Sequence, residues 1–324
     1  MVRTTYVRGP AKIDFNGVTF QSRGDIKVVW KEETFNVESD LYAVADRRAK
    51  ERTAEITFTP LGSTIDWSAA SILWPLSGLS EFVGQELFAT YAAGVPTSVD
   101  LPLVITGRDS AVAGPLTFNS AAVTKMPDTI QSAAATLVGP VTLTAIGIDN
   151  HTWAQANSLW TVGNSALWSG PAAPTIVVQP YTVTWPISAS APWNATLETA
   201  SGVKTTYDMQ LEPWGNDTNG ISGMTIKGLG VTSRMQIRNI SMANLLGVFE
   251  GLLQGPTNGG AYRGKSIGTG ATLSAIGSGV AVRVYNACLQ NPGLDWGAST
   301  ARIPELEFVA VPAPGSPWFA VGTS

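Results

Sequence analysis

The chain has one cysteine, Cys288, and one histidine, His151. One cysteine excludes an intrachain disulfide, and one of each leaves no Cys/His set for zinc. Charge is sparse too: Asp, Glu, Lys and Arg make up 14% of 324 residues, and the formal net charge is −4. That balance argues against a protein that grips nucleic acid by neutralising phosphates. No apolar run reaches the roughly 18–20 residues needed to span a bilayer, so no membrane partner is expected. The opening stretch MVRTTYVRGPAKIDF lacks the apolar core of a signal peptide. The sequons at Asn150, Asn194, Asn216 and Asn239 therefore carry little weight.

Turn chemistry is abundant. With 33 Gly, 20 Pro and 44% hydrophobic residues, the composition suits a mainly β protein with many turns. The length is a soft prior for two domains.

An internal echo supports that division. Leu116–Ile146 reads LTFNSAAVTKMPDTIQSAAATLVGPVTLTAI, and Val282–Ala310 reads VRVYNACLQNPGLDWGASTARIPELEFVA. Each opens on an apolar strand ending at an aromatic–Asn pair, Phe118-Asn119 and Tyr285-Asn286. Each reaches a Pro turn at Pro127 or Pro292, and enters a closing strand at Pro140 or Pro304. From Ala134/Ala298 to Ile146/Ala310 the offset is 164. On that alignment Glu305 and Glu307 replace Val141 and Leu143. The echo implies a duplicated β module, with modules at 1–150 and 175–324. The Gly/Asn/Ser/Trp-rich stretch 151–174 joins them.

Alternation places the strands. Residues 11–22 form a hairpin around Asn16-Gly17. Residues 24–37 give a longer strand, and Thr53–Thr59 puts Ala54, Ile56 and Phe58 on one face. Residues 181–187 put Tyr181, Val183, Trp185 and Ile187 on one face. Residues 203–212 turn Val203, Thr205, Tyr207, Met209 and Leu211 one way and Lys204, Thr206, Asp208, Gln210 and Glu212 the other. Residues 213–223 read as a turn-rich loop. The return strand, 231–238, separates Val231, Ser233, Met235 and Ile237 from Thr232, Arg234, Gln236 and Arg238, so the two polar faces are expected to pair charges across strands. Two helices are expected. One carries Ile65, Ala69, Ile72, Leu73 and Leu76, with Ser63 or Thr64 as cap. The other runs from the cap Ser241 through Met242, Leu245, Leu246, Phe249, Leu252 and Leu253.

Several motifs match a chemistry without its context. Gly259–Ser266, GGAYRGKS, fits the phosphate-loop pattern, but neither a preceding strand nor a following helix is legible. Gly264–Gly268, GKSIG, fits a nucleophile elbow, yet Ser266 would depend on His151 as base. Glu305 and Glu307 share one strand face, and spacing alone cannot set two carboxylates across a sugar. Eleven Trp residues keep a carbohydrate-binding or adhesin β-sandwich as an alternative. No catalytic residue, cofactor or metal site is assigned.

Two segments carry a family resemblance. They are GPAKIDFNGVTF…GDIKVVWKEETFNV…ERTAEITFTPLG, within 9–62, and the closing strands at 116–146. In element order they resemble the tail tube (major tail) proteins of tailed bacteriophages. The resemblance implies a structural, non-enzymatic virion protein that stacks as rings into a conduit for DNA during genome ejection. It implies partners: further copies of the chain, a tape measure protein, terminator and baseplate proteins, and in some tails a sheath. Double-stranded DNA would pass without specific binding. Two modules per chain imply homotrimeric, pseudo-hexameric rings. A tube subunit of another tail-derived injection machine is a close alternative.

Under this resemblance the polar strand faces are candidates for the lumen: Lys204, Asp208, Glu212, Arg234, Arg238, Glu305 and Glu307. The charged hairpin is a candidate arm towards the next ring: Lys31, Glu32, Glu33, Glu38, Asp40, Asp46, Arg47, Arg48, Lys50, Glu51 and Arg52. The plainer reading of the second set is a solvated hairpin.

Overall fold

The computed structural model describes residues 11–38, 40–41, 43–62, 65–88, 101–107, 115–132, 135–146, 160–162, 181–185, 197–216, 220–238, 271–277, 279–290, 295–296, 301–302, 305–311 and 313–323. Among the described residues strand accounts for 63% and helix for 4%, so the protein is mainly β.

The first half contributes β1 (Ala11–Phe15), β2 (Val18–Gln21), β3 (Lys27–Val37), β4 (Asp46–Phe58), β5 (Leu103–Gly107), β6 (Leu116–Phe118), β7 (Ala121–Lys125), β8 (Thr129–Gln131), β9 (Thr136–Val138), β10 (Val141–Ile146) and β11 (Trp160–Val162). The second contributes β12 (Thr182–Thr184), β13 (Thr199–Asn216), β14 (Gly220–Ile237), β15 (Leu273–Gly277), β16 (Val280–Val284), β17 (Ala287–Gln290), β18 (Asp295–Trp296), β19 (Ala301–Arg302), β20 (Leu306–Ala310) and β21 (Phe319–Gly322). They form four antiparallel sheets in a propeller-like ring, with a separate β18–β19 ribbon.

The sheet orders repeat. The first half has β3-β4-β10-β7, and the second has β13-β14-β20-β17 with β8-β9 added beyond β13. Likewise β1-β5-β6-β11 is matched by β12-β15-β16-β21. The registers agree as well. Lys27 lies opposite Thr57 as Lys204 lies opposite Arg234, an offset of 177 on both strands. Even the register shift repeats, after Glu33 and after Gln210.

This pairing corrects the sequence alignment by one residue. Val141 lies opposite Phe58 and Leu306 opposite Met235, which sets the closing-strand offset at 165. Leu306, Phe308 and Ala310 are buried as Val141, Leu143 and Ala145 are. Glu307 therefore corresponds to Thr142, and Glu305 to Pro140. A one-residue slip exchanges the two faces of a strand, so burial decides the register where sparse identity does not.

The halves share one core that runs from Ile13 to Val321. Trp74, Trp185, Phe15, Phe58, Phe118, Phe308 and Phe319 are among its largest fully buried side chains. At roughly 1.5–3 kcal/mol per buried large apolar side chain, this core dominates the favourable side of folding.

Most expected strands are present. The Asn16-Gly17 hairpin forms, with both residues at positive φ (47° and 77°), as a tight two-residue turn demands. Ala54, Ile56 and Phe58 are buried. Ile187 lies outside the described residues, while Val183 and Trp185 are buried.

Three stretches differ from expectation. Within 151–174, expected to be a linker, Trp160–Val162 forms β11 and pairs with β6. The stretch expected to be a loop at 213–223 is mostly strand, since β13 continues to Asn216 and β14 begins at Gly220. Ladder pairing such as Pro213 opposite Met224 overrides turn-prone composition. The helix expected at 65–76 is a six-residue 3-10 segment, Trp67–Ile72, with non-helical geometry at Ala69. Its cap is Asp66, which accepts from Ser68 N at 3.0 Å, in place of Ser63 or Thr64. So short a segment does not repay α-helix nucleation; its Trp67 instead stacks on Trp74 with centroids 5.8 Å apart. The helix expected after Ser241 lies outside the described residues.

Candidate functional site

The exposed face of the six-stranded sheet carries a row of charge. On β13, Val203, Thr205 and Tyr207 are buried while Lys204 and Asp208 are exposed. On β14, Val231, Ser233 and Met235 are buried while Arg234 is exposed. Apolar burial against the shared core fixes this orientation, and period-2 geometry then sends the charged residues outward.

The charge pairs differ from those expected. Lys204 lies directly opposite Arg234, and Asp208 opposite Gly230. Like charges face each other across β13 and β14, which is unfavourable. Each is met from the outside: Lys204 Nζ lies 3.3 Å from Asp128 Oδ2, and Arg234 lies 3.2 Å from Glu307 Oε2. The result is a row Asp128, Lys204, Arg234, Glu307 across the sheet. Glu212 pairs with Lys227 further along the hairpin. Arg238 is exposed, and its backbone N–H donates to Glu198 O. Glu305 is exposed just before β20. The structure thus brings Lys204, Arg234 and Glu307 together and sets Asp208, Glu212, Arg238 and Glu305 apart from that row. Such solvent-exposed pairs contribute about 0–1 kcal/mol each. Two cations flanked by two anions leave a near-neutral row rather than a phosphate grip.

The hairpin β3–β4 holds the second candidate set. Trp30, Lys31, Glu32 and Glu33 are consecutively exposed, so both faces of the hairpin meet solvent there. Arg52 Nε lies 2.9 Å from Glu32, Lys31 pairs with Glu55, and Arg47 Nε donates to Thr34 Oγ1 at 2.8 Å. Glu38, Asp40, Asp46 and Arg47 are exposed. Arg48, Lys50 and Glu51 lie on β4, with side chains outside the described set. Phe35 is 47% exposed near the tip side of the hairpin. Ser266, His151 and the 259–266 glycine loop lie outside the described residues, and among the described residues no His/Cys/Asp/Glu group is placed to hold a metal.

The residues missed from sequence are those that join the halves. β8 pairs with β13, placing Gln131 opposite Val203 and Ile130 opposite Lys204. Gln131 Nε2 donates to Ala275 O at 2.9 Å, and the Thr129 hydroxyl lies 3.2 Å from that of Tyr207. Burial drives the Tyr207 phenol well above its usual range, the Thr129 hydrogen bond only partly opposing it, so Tyr207 stays protonated. Glu86 accepts from Met224 N at 2.7 Å and from Trp214 Nε1. Ser77 accepts from Val321 N at 2.8 Å. Thr129 and Gln131 are polar yet buried, so nothing in the three-residue strand TIQ marked it as part of the core.

No protein-family model matches the chain, and no curated protein matches it either.

Proposed function

We propose that this chain is a tail-tube-like structural subunit built from two copies of one module. Its copies assemble into rings, three chains to a ring, and the rings stack into a conduit for double-stranded DNA in a virion tail. The role is structural rather than catalytic. Tape measure, terminator and baseplate proteins, and in some tails a sheath, are its further partners. The observation that carries this reading is the repeated sheet order with constant registers: two copies of β3-β4-β10-β7 in one chain. A module that recurs within the chain and presents sheet edges is suited to recur around a ring, where lateral edges are consumed.

The exposed row of Lys204, Arg234, Asp128 and Glu307 supports the reading of a near-neutral wall. Phosphate contacts accumulate along DNA, so a basic wall would hold it. The open hairpin at Trp30–Glu33 supports a contact with a neighbouring ring.

Negative-stain imaging of the purified protein tests this directly. Rings or tubes with a central hole are expected. A monomer that binds glycans through exposed aromatics such as Trp30 and Trp214 would replace this reading with the adhesin alternative. Tubes without DNA passage in a virion would favour an injection machine.

A further inference from the structure

The chain's own strand pairing is a template for a contact between chains. The β8–β9 hairpin of the first half covers the outer edge of β13 in the second half, with Gln131 opposite Val203 and Ile130 opposite Lys204. The duplication supplies a second hairpin and a second edge. Going from β13 to β3 subtracts 177, by the hairpin registers. Going from β8 to β18 adds 165, the closing-strand offset. The same 165 maps both strands of the small hairpin: Ile130 opposite Leu137 becomes Asp295 opposite Arg302, and Gln131 opposite Thr136 becomes Trp296 opposite Ala301. The ribbon β18–β19 is therefore the second copy of β8–β9.

Among the described residues of one chain, the second copy does not pair with its edge. β18–β19 stands as a two-stranded sheet, and β3 ends its own sheet among the described residues. An uncovered strand edge invites another strand. Side-chain exposure tells the same story. Trp30 and Tyr207 are equivalent under the offset of 177, yet Trp30 is 50% exposed and Tyr207 4%. Tyr207 has β8 beside it, through Thr129.

We infer that β18–β19 of one copy adds antiparallel to β3 of a second copy, as β8–β9 adds to β13. The register follows from the template: Trp296 opposite Ile26, and Asp295 opposite Lys27. That register sets opposite charges face to face at Asp295 and Lys27, which favours it. The donor hairpin and acceptor edge are different surfaces, so the contact is heterologous and each copy offers one of each. Main-chain hydrogen bonding gives the affinity, as in other strand additions. The inference deepens the assembly reading above by naming its interface, but its register rests on strand pairing alone.

Cysteine pairing tests it in the full-length chain with Cys288→Ala. Lys27→Cys chains mixed with Asp295→Cys chains should give a disulfide-linked dimer under mild oxidation, and the double variant a ladder of higher species. Opposed strand residues lie within the Cα range that a disulfide spans. Ile130→Cys with Lys204→Cys is the control and should close within one chain. No dimer from the mixture while the control closes overturns the inference, as does closure of Lys27→Cys with Asp295→Cys inside one chain. Cross-linking without rings in the microscope would keep this contact and sink the tube. Rings without cross-linking would do the reverse.

Discussion

The Thr205 hydroxyl lies 2.7 Å from the Ser233 hydroxyl, and both residues are buried. At the equivalent positions of the first half, Val28 lies opposite Ile56. One half thus has a hydrogen bond where the other has an apolar pair. Thr205→Val should cost about 1–3 kcal/mol, because Ser233 keeps a buried hydroxyl without that partner. Adding Ser233→Ala should recover part of the loss, since replacing both partners by apolar groups of matching shape is nearly neutral. Urea unfolding of the two single variants and the double variant reads this coupling; strictly additive losses would contradict it.

Gly202 adopts φ +96°, and a Cβ there would collide with the Gln131 carbonyl. Gly202→Ala should therefore cost about 1–3 kcal/mol and loosen β8 from β13. Hydrogen exchange at Thr129–Gln131 should speed up more than exchange in β1. Equal effects on both would mean the joint between the halves is not where the strain falls.

Cys288 is buried on β17, and burial raises its thiol pKa. A raised folded pKa means the neutral thiol is favoured. Its contribution is present below the unfolded thiol value of about 8.5 and is lost as pH rises through the folded one. Thiol reagents at pH 8 should label the native chain only as fast as it opens. Cys288→Ala should lessen the alkaline fall in stability. Fast labelling of the folded chain would contradict this placement.

Lys31, Glu32 and Arg52 are exposed on the hairpin. Their combined change to Ala should shift unfolding free energy by less than about 1 kcal/mol in total, as expected for surface pairs. Assembly should nonetheless weaken, seen by light scattering. Unchanged assembly would return the hairpin to a simple solvated role.

Asp208 and Glu212 are exposed on β13. Asp208→Lys with Glu212→Lys should make assembled rings retain DNA, with retention falling steeply as salt rises. No retention would place this face outside the lumen.

Strand positions were legible wherever one face is buried, as at Ala54–Ile56–Phe58 and Val203–Thr205–Tyr207, because alternation follows directly from burial. The repeated order of strands was legible too, though one residue out of register: turn residues such as Pro140 and Pro304 line up, while only burial distinguishes Leu306 from Glu307. The strand at 213–216 was not legible, since Pro213 and Gly215 locally favour a turn and only the ladder to β14 extends it. The charge row was half legible. Its faces followed from alternation, but its partners Asp128, just before β8, and Glu307, on β20, lie far away in sequence. The joining strand β8 was invisible as a joint, because three residues carry no signal of the sheet they enter.

The number of chains in the smallest closed assembly tests the central claim most directly. Native mass spectrometry of rings formed by the purified protein should give three chains, with six similar modules around the hole. A closed ring of six chains, or a stable monomer at assembly concentrations, would contradict it.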